Sequence, residues 1–121
     1  MTTALLLIAH GSRQEDANDD LFHVAGCLRA RGWPIVVASF LELAEPNIED
    51  GGAACVEQGA DCVILVPYFL SAGVHVRRDL SAIRAKLAER FPAVAFHLAE
   101  PLGRHPLLLD VVTDRLREVY L

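Results

Sequence analysis

Lysine is nearly missing from this chain. Lys86 is the only one, and 11 basic against 16 acidic side chains leave a net charge of -5. No basic face is available to neutralise a phosphate backbone, so no nucleic-acid partner is expected. Long apolar runs are missing too: none approaches the roughly 18 residues that a membrane span needs. Thr2-Thr3-Ala4 puts no positive charge ahead of the first apolar stretch, as a secretory leader would. No membrane partner is expected either, and a cytoplasmic location is. Three cysteines, Cys27, Cys55 and Cys62, form an odd set without Cys-x-x-Cys spacing, which reads as buried thiols in a reducing compartment. Aromatics are scarce at 7%, yet 53% of residues are hydrophobic and 22% charged, a globular balance that argues against disorder. One domain over residues 1–121 is expected, long enough to bury about two-thirds of its unfolded surface.

Against these absences stand four short apolar runs, at 4–9, 35–41, 62–68 and 94–98, interrupted only by Ser39 and His97. Short continuous runs predict strands buried on both faces. Between them apolar residues recur at helical spacing. Leu21, Ala25 and Leu28 precede the stop Arg31-Gly32; Ile48, Cys55 and Val56 precede Gly59; Leu80, Ile83, Leu87 and Phe91 precede Pro92. Leu108, Val111, Val112 and Val119 stripe a last helix that begins near Pro106. The alternation predicts an α/β fold: a single doubly wound four-stranded parallel sheet of order 2-1-3-4 with helices on both faces.

Polar residues gather at only one set of junctions. His10-Gly11-Ser12-Arg13 follow the first run, Glu42 through Asn47 the second, Ser71 through His75 the third, and Glu100 through His105 the fourth. The opposite junctions hold plain turn residues such as Arg31-Gly32-Trp33-Pro34 and Gly59-Ala60-Asp61. A site is therefore expected at the carboxyl edge of the sheet, where open α/β sheets hold ligands. Order 2-1-3-4 makes the exits of strands 2, 1 and 3 neighbours, bringing Glu42, His10 and His75 within reach of one centre. Two imidazoles and a carboxylate suit Co, Ni, Fe or Zn with coordination positions left open. Thiolates, which would trap a metal that must be passed on, are missing from this set. Either histidine alone would equally suit a structural or helix-capping position, and it is their shared edge that favours chemistry.

Arg13, Arg77, Arg78 and Arg104 fall on or just after the same edge, where guanidinium groups would grip a polycarboxylate. Alternatively, Arg77 and Arg78 form a solvated first helical turn paired with Asp79. Ser71-Ala72-Gly73 is small enough for a flat ligand to approach, and Tyr68 and Phe69 either wall that ligand or join the core. His23 and His97 read as structural. His105 reads as a residue that opens the last helix, with a ligand role as the alternative. A phosphohistidine reading of His10-Gly11 wants an arginine where Ala9 stands, and a phospho-receiver wants an aspartate where Pro67-Tyr68-Phe69 stand. A metal-binding protein without catalysis remains open.

At these residues the chain resembles a known family. Ala9-His10-Gly11-Ser12-Arg13, Phe40-Leu41-Glu42, the stretch from Pro67 to His75 with Asp79-Leu80, and the stretch from Glu100 to Pro106 are similar, in order and across nearly the whole chain, to the short class II tetrapyrrole chelatases of the sirohydrochlorin cobaltochelatase type. The resemblance implies that His10 and His75 bind the metal and that Glu42 assists as ligand or proton acceptor. It implies insertion of Co2+ into sirohydrochlorin in cobalamin synthesis, with Fe2+ (siroheme) or Ni2+ insertion as variations. The divalent metal is then a substrate, and no organic cofactor is needed. The tetrapyrrole is expected against Ser12, Arg13, Ser71, Ala72, Gly73, Arg77 and Arg104. The chain is half as long as two-lobed family members, so the resemblance also implies a homodimer whose second copy supplies the other lobe.

Overall fold

In a computed structural model that describes residues 1–120, the elements run β1 (Thr3–Ala9), α1 (Glu15–Ala30), β2 (Ile35–Phe40), α2 (Ile48–Glu57), β3 (Cys62–Pro67), α3 (Val74–Arg90), β4 (Ala95–Leu98) and α4 (Leu107–Tyr120). The last residue of the expected domain lies outside the described residues. All strand pairs are parallel and the sheet order is β2-β1-β3-β4, as the alternating pattern predicts. β1 is central, and Ala4 through Ile8 are buried on both faces, which is why this stretch carries no polar alternation.

Successive side chains of a strand point to opposite faces, so the sheet divides two cores. On one face Leu6, Ile8, Val63 and Leu65 pack with Ile48 and Cys55 of α2 and with Leu80 and Leu87 of α3. On the other, Leu5, Leu7, Val36, Ala38 and Phe40 pack with Leu21 and Ala25 of α1. The buried hydroxyl of Ser39 donates to the Leu7 carbonyl at 2.8 Å, so the one buried polar side chain among the described residues is satisfied.

Strands β2 and β3 each end one residue before the apolar run does. Pairing stops at Phe40 and Pro67, but the next amides still donate into the ladder, Leu41 N to Ala9 O at 3.0 Å and Tyr68 N to Ile8 O at 2.7 Å. One expectation fails more substantially. The cysteines are not all buried: Cys55 is, Cys62 is half-buried, and Cys27 is exposed with its Sγ 3.5 Å from His23 Nε2. The last helix does not cover the sheet, since α4 buries none of its residues. The segment leading to it is tied to the carboxyl edge, with Ala99 N donating to Leu65 O at 2.9 Å and Leu102 N to Phe69 O at 3.0 Å. Gly103 lies so close to Leu70 that a Cβ there would run into the Leu70 carbonyl oxygen. These ties carry the chain outward before α4 begins.

Candidate functional site at the carboxyl edge

Register places the strand exits side by side. Ala9 of β1 pairs with Phe40 of β2, and Ile8 pairs with Pro67 of β3. Beyond the strands one more bond, Glu42 N to His10 O at 3.0 Å, continues the β1–β2 ladder. It sets Glu42 beside His10, and both side chains are exposed. Gly11, at φ +93°, turns the chain away immediately after His10, and a Cβ there would run into the Glu42 carbonyl oxygen. The third exit contributes Phe69, whose ring lies 4.5 Å from the His10 ring at an interplanar angle of 31°. An imidazole backed by an aromatic face loses rotational freedom, so Phe69 orients His10 towards the open side.

His75 arrives by a different route. It is the second residue of α3, exposed, in a helix whose N-cap is Gly73. His10, Glu42 and His75 thus stand on one edge of the molecule. Among the described residues, however, no three His, Cys, Asp or Glu side chains close on a single metal-sized centre. His10 is turned against Phe69 while His75 rides the helix, so the three side chains share a surface without a preassembled cage. Cys55 adds nothing to it, because burial pushes its thiol up to about 12. The thiolate, which is the form that ligates metals, is therefore suppressed there. Exposed imidazoles and a carboxylate of this kind could hold a divalent cation only loosely, in a form that can be surrendered.

Beside this surface lies a hollow of about 440 Å3, lined among others by Leu70, Ser71, Ala72, Arg77, Glu100 and Arg104. Arg77 does not pair with Asp79. Its Nη1 lies 2.9 Å from Glu100 Oε2, and its Nε donates to Ala72 O at 3.3 Å. Residues two apart on a helix diverge, and the fourth strand exit brings a carboxylate within reach instead. Arg104 stands at φ +65° on the same rim, and Arg78 is exposed on the first turn of α3. Ser12 and Arg13 fall elsewhere, on a separate hollow of about 530 Å3 shared with Glu15, Asp19 and Glu45. There the Ser12 hydroxyl accepts from Gln14 N at 3.0 Å, and the Asn18 amide holds the Ser12 backbone at both its N–H and its carbonyl, which closes the entry to α1. His105 caps α4, its Nδ1 accepting from Leu107 N at 3.2 Å. His23 lies on α1 and His97 on β4.

Sequence reasoning missed two parts of this edge: the backing of His10 by Phe69 and the neutralisation of Arg77 by Glu100. The first joins two strand exits and the second joins helix α3 to the fourth exit, and the only trace of them in the sequence is that the partners lie at or near the same edge.

The family model CbiX matches residues 4–119 of the chain. The chloroplastic sirohydrochlorin ferrochelatase of Arabidopsis thaliana is 39% identical over 114 residues, which make up 93% of this chain and 51% of that protein. The sirohydrochlorin cobaltochelatase of Sulfolobus acidocaldarius is 32% identical over 111 residues, 92% of this chain and 87% of that one. Among solved structures, the sirohydrochlorin chelatase SirB from Bacillus subtilis subspecies spizizenii, in complex with cobalt, has a TM-score of 0.88 at 32% identity, covering 98% of this chain and 51% of SirB. The chain spans about half the length of the Arabidopsis and Bacillus proteins it matches.

Proposed function

The chain belongs to the CbiX family, and from that premise we propose that it is a sirohydrochlorin chelatase, a lyase-class enzyme that inserts a divalent metal into this tetrapyrrole. The observation that carries the reading is the open carboxyl edge, where His10, Glu42 and His75 stand exposed next to an arginine-rimmed hollow. Metallation replaces two pyrrole N–H protons by one M2+, so cation and protons cross the same surface in opposite directions. Imidazole suits both tasks: it ligates first-row metals, and its free ring nitrogen accepts a proton. His10 and His75 hold the cation beside the ring and then accept protons from the pyrrole nitrogens, while Glu42 balances charge. No organic cofactor takes part.

Co2+ is the metal we assign. The match to the Sulfolobus cobaltochelatase, which runs over most of that protein's length, supports it. Fe2+ is the second reading, favoured by the higher identity to the Arabidopsis ferrochelatase. The chain, as one domain over residues 1–121, supplies a single lobe. A tetrapyrrole is a broad disc with two faces, so a symmetric homodimer completes the cleft. The reaction belongs in the cytoplasm, where an exposed thiol such as Cys27 stays reduced. Absorption spectra of sirohydrochlorin mixed with the protein and Co2+, Fe2+ or Ni2+ test the activity and the metal. A protein-dependent spectral shift, fastest with Co2+, is expected. Fastest turnover with Fe2+ moves the assignment to the second reading, and no acceleration with any metal leaves a metal-binding protein without catalysis.

The arginines make a separate prediction. Removing Arg77 both deletes a cation and releases the Glu100 carboxylate that it neutralises, so Arg77→Ala sets a negative charge towards the ring carboxylates. Sirohydrochlorin affinity is expected to fall by roughly tenfold and to lose most of its dependence on salt. Metal binding without tetrapyrrole should be unaffected. A fluorescence titration checks both, and unchanged affinity in the variant would remove Arg77 from the site.

A further inference from the structure

Free thiols are among the most buried side chains in proteins, yet Cys27 is exposed. It sits in the last turn of α1, four residues after His23, a spacing that puts both side chains on one face of the helix. That face is the solvent side, because Leu21 and Ala25, the buried residues of α1, lie on the opposite one. The imidazole is exposed as well, and its Nε2 lies 3.5 Å from the Cys27 Sγ. Gly26 follows His23 by three residues, and a Cβ added there would meet nothing within 4 Å. A glycine in a helix interior costs about 1 kcal/mol against alanine, and here it leaves the flank of the imidazole clear.

The donor separation fits a metal. A tetrahedral cation binds imidazole nitrogen at about 2.0–2.1 Å and thiolate sulfur at about 2.3 Å. Those bonds set nitrogen and sulfur about 3.6 Å apart at the tetrahedral angle, and about 3.1 Å apart at the right angle of an octahedral site. The 3.5 Å between His23 and Cys27 therefore matches a tetrahedral chelate with little movement of either side chain. Binding replaces the proton between them: the cation takes a lone pair from each donor, the thiol proton leaves to solvent and the imidazole stays neutral. Charge favours the exchange. Asp16, Asp19 and Asp20 are exposed on the same side of α1, within about two turns of His23, and the carbonyl end of the helix beside Cys27 also attracts a cation. The carboxylates act at a distance, since no third His, Cys, Asp or Glu closes on the pair among the described residues.

We propose that His23 and Cys27 form a second divalent-metal site, a two-ligand tetrahedral chelate for a borderline-soft cation such as Co2+ or Zn2+, with water in its other two positions. It differs in kind from the carboxyl edge, which offers imidazole and carboxylate donors at the end of the sheet where α1 begins. His23 stands eight residues into that helix, roughly 12 Å along its axis. A thiolate holds such a cation more firmly than a carboxylate does, so the pair retains a metal where the edge surrenders one. The site stands on the geometry of the pair and does not depend on the insertion reaction.

Anaerobic titration of the full chain with Co2+ tests this. Thiolate-bound Co2+ gives a near-ultraviolet charge-transfer band that nitrogen and oxygen donors do not give. Wild type should develop this band and saturate at one Co2+ per chain. Cys27→Ser should abolish it, His23→Gln should weaken the binding it reports by roughly 100-fold, and His75→Ala should leave it unchanged. His23 and Cys27 are both exposed, so these variants should keep the helix signal and the unfolding transition of wild type. The unaltered chain gives a second reading that needs no variant: Co2+ should slow alkylation of Cys27 by iodoacetamide by roughly tenfold or more, as located by mass spectrometry. Absence of the band in wild type overturns the site. So does a band that survives Cys27→Ser, which would belong to another thiol, or full affinity in His23→Gln, which would leave the sulfur as a single ligand. Alkylation of Cys27 at the same rate with and without Co2+ overturns it as well.

Discussion

Replacing either His10 or His75 with alanine is expected to lower the rate of metal insertion by roughly 1,000-fold while leaving the fold intact. Both imidazoles are exposed, and exposed substitutions away from buried networks typically shift stability by no more than about 0.5 kcal/mol. The chemical loss is large because each ring serves twice, and proton transfer by a positioned group alone is worth roughly 100- to 10,000-fold. The two variants should also differ from each other. His10→Ala uncovers the face of Phe69, against which the ring is stacked, whereas His75→Ala leaves no comparable gap, so any small destabilisation belongs to the first. Insertion followed by absorbance, next to thermal unfolding of the same samples, separates chemistry from structure. Wild-type turnover in either variant would strip that histidine of its role, and loss of the unfolding transition in both would make them structural residues.

The sheet was legible because short apolar runs have few physical solutions. A strand such as β1, buried from Ala4 to Ile8, has no solvent side, so its sequence cannot alternate. Four short apolar runs separated by helical stripes leave little but a parallel sheet, although the edge strand β4 keeps Ala95 and His97 exposed against the expectation of burial on both faces. The carboxyl edge was legible for a related reason: a residue that interrupts an apolar run with chemistry, as His10 does after Ala9, has been placed at the surface by the run itself. What lay between strand exits was not legible. Phe69 could equally have entered the core, and only the pairing of Ile8 with Pro67 puts it against His10. Asp79, the alternative partner of Arg77, is near in sequence, yet helix geometry separates them and Glu100 takes its place. The amphipathic pattern of α4 is the same whether its cover is its own sheet or another molecule's. Periodicity therefore predicts the helix and leaves open what covers it.

The other large effect is expected from a glycine that takes no part in the chemistry. Three glycines adopt positive φ: Gly11 at 93°, Gly32 at 106° and Gly59 at 103°. Gly32 and Gly59 close helices in open space, with nothing within 4 Å of an added Cβ, so alanine there carries only conformational strain of about 1 kcal/mol. At Gly11 the strain is joined by a collision with the Glu42 carbonyl oxygen. That atom is backbone, so no rotamer can relieve the contact. The segment that must move is the one whose Glu42 N–H bonds the His10 carbonyl at 3.0 Å. Gly11→Ala is therefore expected to cost about 2–4 kcal/mol of stability. Its effect on insertion should be roughly 100-fold, the scale of a displacement of about 1 Å between reacting groups. Gly32→Ala, which repeats the strain without the collision, should keep full activity with a small loss of stability. Measured side by side, the pair isolates the contact between the first two strand exits. Equal behaviour of the two variants would mean that the placement of Glu42 beside His10 does not matter to the reaction.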